Sequence, residues 1–60
     1  MDRADLILLS SAVERLERLA RQLVEDRPLG DPDHRTACAA AQICYSVADD
    51  LRRRFPLDSQ

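Results

Sequence analysis

Apolar residues recur along this chain in alternating steps of three and four. One series is Leu6, Leu9, Val13, Leu16, Ala20 and Leu23; a second is Ala37, Ala40, Cys44, Val47 and Leu51, widened by Ala41, Ala48 and Phe55. Strides of three and four keep one stripe of an α-helix apolar, and their strict alternation is the heptad seam of packed helices. Between the two series lies RPLGDP, which holds Pro28, Gly30 and Pro32; the third proline, Pro56, stands near the end. The pattern predicts two helices, over about 3–26 and 32–55, joined by one short connection. At roughly 1.5 Å per residue each is about 35 Å long, and matched lengths across a short turn make an antiparallel helical hairpin.

The ends of the helices are signalled as well. Asp2 is placed to cap the first helix, with Asp5 three positions on, and Pro28 biases Arg27 away from helical geometry. Asp31 is the expected cap of the second helix, with Pro32 at its first position. Arg52, Arg53 and Arg54 would meet the carbonyl end of its dipole before Pro56 stops it. Glu14–Arg18, Glu17–Arg21, Asp49–Arg53 and Asp50–Arg54 stand at the i,i+4 spacing that brings opposite charges together.

The seams do not use up the apolar residues. Ile7, Leu8, Leu19 and Val24 lie off the first stripe, and Cys38, Ile43 and Tyr45 off the second. Leu6, Ile7, Leu8 and Leu9 run unbroken, and at about 100° per residue they cover nearly the whole helix circumference. A lone hairpin has one interface and cannot bury so much. We therefore expect self-association, in the form of a two-fold dimer of hairpins making a four-helix bundle. The residues expected at that interface, or at one with another protein, are Leu6, Ile7, Leu8, Leu9, Val13, Leu19, Val24, Cys38, Ile43 and Tyr45.

Composition sharpens this reading. Sixty residues, 45% hydrophobic and 33% charged, make a single small domain that gains from a second copy. Tyr45 and Phe55 are the only aromatic residues, so the core is aliphatic. A net charge of −2 implies no strong attraction to nucleic acid or to an acidic membrane. All nine basic residues are arginine, which excludes lysine chemistry. The apolar run at Leu6–Leu9 is too short for a signal peptide and is flanked by acid, and no stretch reaches the roughly 20 apolar residues of a membrane span. The expected location is the cytoplasm.

Candidate chemistry is sparse. Cys38 and Cys44 are six residues apart, about 9 Å along one helix, and cannot bridge each other. In a cytoplasmic chain they read as small packing residues, a disulfide between subunits being the alternative. His34 and Cys38 share a helix face at i,i+4, and two copies could bring together a His₂Cys₂ zinc site. The plainer assignment is a polar first-turn histidine and a packing cysteine, so no metal or cofactor is expected. Neither the one histidine nor the serines show a nucleophile–base relation, and the carboxylates are committed to caps and pairs, so no enzyme and no small-molecule substrate is expected.

Nucleic acid is the alternative partner, with Arg52, Arg53 and Arg54 as the contacts. In size and inferred architecture the chain, with the segment AQICYSV from Ala41 to Val47, resembles the Rop family of plasmid copy-number proteins. That resemblance implies a dimeric hairpin that binds RNA. AQICYSV lies more than two turns into the helix here, whereas the similar segment opens the second helix of that family. Glu14 and Glu25 also mix charge into the face it presents to RNA, so no residue roles carry over. The function expected from the residues is a non-catalytic protein–protein interaction module. Concretely, it would be a small bacterial or phage-type regulator or inhibitor that occludes a larger partner, such as a nucleic-acid-handling complex.

Overall fold

A computed structural model describes residues 2–56. They form two α-helices, α1 (Arg3–Asp26) and α2 (His34–Arg54), packed against each other as a hairpin with no strand among the described residues. The fold is all-α, as the strides predict.

The first helix begins and ends where expected. Asp2 is its N-cap, in extended conformation, and a carboxylate oxygen of Asp2 accepts the Asp5 N–H at 2.9 Å. That bond satisfies one of the donors a helix start leaves unpaired. Arg27, held off the helical region by Pro28, is the C-cap.

The second helix begins two residues later than expected, at His34, and ends at Arg54 rather than 55. Its N-cap is Asp33, whose side chain makes no capping bond. The cause is the connection. The Asp31 N–H donates to the Pro28 carbonyl at 2.9 Å, and Gly30, the third residue of that turn, has φ +102°. A type II turn requires positive φ at this position, which glycine adopts without steric cost. The Asp31 carboxylate then accepts from the Asp33 N–H at 2.8 Å, and its carbonyl accepts from the His34 N–H at 3.0 Å. Asp31 thus forms a side-chain turn that keeps Pro32 and Asp33 outside the helix. At the far end Arg52, Arg53 and Arg54 occupy the last turn, and the Phe55 N–H reaches back to the Leu51 carbonyl at 2.9 Å.

The fully buried residues are Val13 and Ala20 on α1, and Ala37, Ala41 and Ala48 on α2. This corrects the second seam. The row turned toward α1 runs through Ala37, Ala41, Cys44, Ala48 and Leu51; Ala40 is only half-buried and Val47 is exposed. Both rows keep the stride of three and four. The inner row carries alanine where the other carries valine, and small residues let two helices approach closely.

The hairpin is a slab with principal extents of 45 × 16 × 12 Å and a radius of gyration of 13.8 Å. A compact chain of this length would have a radius near 10 Å. So elongated a body has much surface for its volume and a thin core. No helix among the described residues is long and apolar enough to cross a membrane.

Candidate interaction face

A long-range clamp fixes which side of α1 lies beside which side of α2. Arg52 donates through Nη1 to Glu17 Oε2 at 2.8 Å and through Nη2 to Oε1 at 3.0 Å. The parallel pair of bonds is the strong geometry for guanidinium and carboxylate. Glu17, expected to pair with Arg21 on its own helix, therefore reaches across the hairpin.

The Arg52 hydrogen bond holds the Glu17 carboxyl below its ordinary value. Partial burial opposes that shift, and attraction to Arg52 and then Arg21 adds to it. The lowered value means the unfolded chain binds the proton more readily, so this clamp contributes stability as pH rises. The contribution is complete above the ordinary glutamate value of 4.5 and disappears as pH falls through the lowered one. Thermal melts of the native chain and Glu17→Gln should therefore differ at neutral pH and converge in acid. A constant gap at every pH would exclude the clamp.

With that side located, helical geometry assigns the rest. Beside Glu17 on α1 lie Ser10, Arg21 and Val24, and beside Arg52 on α2 lie Cys38, Tyr45 and Asp49. This broad face carries the clamp and the Arg53–Asp49 pair, with Val24 and Tyr45 open beside them. The opposite broad face takes Leu8, Ala12, Leu19 and Leu23 from α1, and Ala40, Ile43, Val47 and Leu51 from α2, with Arg15, Asp26, Thr36 and Arg54 along its rim and ends. Four of its large side chains are open: Leu8 is 68% exposed, Ile43 65%, Leu19 46% and Val47 43%. At its open end Leu8, Leu9 and Phe55, with Asp5 on the rim, line a shallow hollow.

The residues predicted for an interface are thereby divided. Val13 is buried in the hairpin, and Leu6 and Leu9 are half-buried along its seam. Leu8, Leu19 and Ile43 come together on the apolar broad face. Ile7 is on the outer back of α1, away from α2, whereas Val24, Cys38 and Tyr45 lie toward the ion-paired side. The stride puts Val47 in the seam, and the structure places it on the open face. Its placement follows from the alanine row turning inward, a choice the stride alone does not encode.

The arginine run is occupied by acid. Arg52 holds Glu17, Arg53 Nη2 lies 3.0 Å from Asp49, and Arg54 Nε lies 2.9 Å from Asp50. The last two are the expected i,i+4 pairs. The run therefore presents charge already neutralised by carboxylates, which weakens it as a phosphate-binding stripe.

Cys38 and Cys44 are both free thiols, half-buried. Among the described residues no group of three or more His, Cys, Asp and Glu side chains is arranged to hold a metal ion. His34 and Cys38 do meet, as their spacing allows, with Cys38 Sγ 3.4 Å from His34 Nε2.

Fold and surface together define an all-α antiparallel hairpin with one broad face rich in open apolar side chains and an opposite one that carries the Glu17–Arg52 clamp. The chain matches no protein-family model, no curated protein and no solved structure.

Proposed function

We propose that this hairpin is a non-catalytic protein–protein interaction module that first pairs with a second copy of itself through the apolar broad face. The observation that carries the reading is the placement of Leu8, Leu19, Ile43 and Val47, all open, on one side of a slab with almost no core of its own. Contiguous exposed apolar surface of this kind marks an association site. The slab measures 45 × 16 Å across its broad side, close to the roughly 800 Å² per partner of a standard interface. Two such slabs stacked face to face form a four-helix bundle with the apolar rows inside.

The dimer would leave outward the ion-paired faces and the backs of the helices. There a mixed-charge surface sets partner choice and orientation more than affinity. In this reading the assembled bundle is a small regulator or inhibitor, of bacterial or phage type, that occludes the surface of a larger protein. Sedimentation equilibrium from micromolar to submillimolar protein tests the first step. The expected mass is twice the 6.8 kDa of the chain; 6.8 kDa throughout would overturn self-association.

A further inference from the structure

The polar contacts at the closed end of the hairpin have a direction. His34 Nδ1 is 2.6 Å from the carbonyl oxygen of Arg27. A carbonyl only accepts, so Nδ1 carries the hydrogen and donates it. In neutral imidazole the lone pair is then on Nε2, the nitrogen that faces Cys38 Sγ at 3.4 Å.

The Cys38 thiol donates to that lone pair, and a metal ion would take the place of its hydrogen. One ring nitrogen is fixed by a backbone carbonyl, which orients the other and makes it a better donor. The separation also fits. Zinc bonds of about 2.0 Å to nitrogen and 2.3 Å to sulfur, at a tetrahedral angle, put the two ligand atoms about 3.5 Å apart. Both side chains are half-buried, so one side of the pair remains open to solvent. From the structure we infer that His34 Nε2 and Cys38 Sγ form a two-point chelate for a thiophilic divalent cation of the zinc class.

On binding, the nitrogen and sulfur each donate an electron pair to the ion, and the Cys38 thiol releases its proton to solvent. Water fills the remaining positions. The chelate lies toward the ion-paired side of the hairpin, so it does not depend on pairing through the apolar face. For the same reason that pairing would not bring two chelates together, and each chain takes its own ion.

Titration with cobalt(II), which reports bound thiolate by a sulfur-to-metal charge-transfer band, is the test. The band is expected at one ion per chain, absent in Cys38→Ser, retained in Cys44→Ser, and weakened in His34→Ala by the loss of one of two ligands. Because His34 also ties α2 to Arg27, the unmodified chain supplies a second readout. Added zinc should slow alkylation of Cys38, followed by mass spectrometry, and leave Cys44 as the internal control. No thiolate band, a band that survives Cys38→Ser, or equal protection of both cysteines would overturn the chelate.

Discussion

Aspartate at Leu19 and Ile43 together is expected to convert the dimer into monomers that keep their helical content. Leu19 and Ile43 come from different helices but occupy the same broad face, 46% and 65% exposed in the single chain. Neither contributes to the hairpin core, so the substitutions leave Val13 and the inner alanines as they are. Pairing would take each new carboxylate out of water into an apolar contact, at the cost of burying its charge. Each position occurs twice in a two-fold dimer, and four lost contacts of about 1 kcal/mol each weaken it by roughly 1000-fold. Ile7 is the control: at 58% exposed it is nearly as open as Ile43, yet it lies on the back of α1. Ile7→Asp should shift the dimer constant by no more than about twofold, since exposed substitutions outside a contact are near neutral. Sedimentation at matched concentrations and far-ultraviolet circular dichroism read the two quantities separately. Dissociation by Ile7→Asp but not by the Leu19/Ile43 pair would place the contact on the wrong side of the hairpin.

The second large effect concerns the alanines between the helices. Ala20 is 0% exposed and Ala48 1%, so no free space adjoins either methyl group. Leucine at Ala20 or at Ala48 would force the backbones apart, and such overpacking costs about 1–3 kcal/mol. For a chain this short each kcal/mol lowers the melting temperature by roughly 4–8 °C. Ala40→Leu, made in the monomeric Leu19→Asp/Ile43→Asp chain because Ala40 lies on the apolar face, is the contrasting substitution, since Ala40 is only half-buried. It should leave the melt within about 0.5 kcal/mol of that parent chain, or stabilise it. Melts must be compared at one protein concentration, since association makes the midpoint concentration-dependent. If leucine at Ala40 proves the more disruptive, the seam runs through the other row.

The residues that made the hairpin legible act locally. Asp2 bonds three positions ahead, Pro28 constrains the residue before it, and an apolar stride needs only its own helix. The start of α2 differs from the expected one because Asp31 has two local uses, as a helix cap and as a side-chain turn. The Pro28–Asp31 turn selects the second. What could not be read required knowing how two helices meet. Ala41 and Ala48, or Ala40 and Val47, serve equally well as a stride, and only close approach favours the smaller pair. Glu17 had Arg21 within reach on its own helix, and nothing in the sequence placed Arg52, 35 residues away, in a better position. Ile7, Leu8 and Tyr45 share one expected interface with Leu19, Val24, Cys38 and Ile43 because each lies off a seam. Off a seam, however, there are several directions, and the clamp between Glu17 and Arg52 was needed to separate them. The His34–Cys38 contact follows from spacing, whereas the Arg27 carbonyl that orients the ring depends on the shape of the connection.

The closed end of the hairpin also gives assembly a direction in time. The contacts among Arg27, Pro28, Asp31, Asp33 and His34 span at most seven residues, whereas the Glu17–Arg52 clamp spans 35. Loop-closure entropy rises with the length of chain enclosed, so the short-range contacts can form before the rest of the chain is ordered. Each turn of helix added beyond them then encloses only a little more chain than the one before. The hairpin would close as a zipper closes, from Gly30 outward, and the pairing of Glu17 with Arg52 would be among its late events.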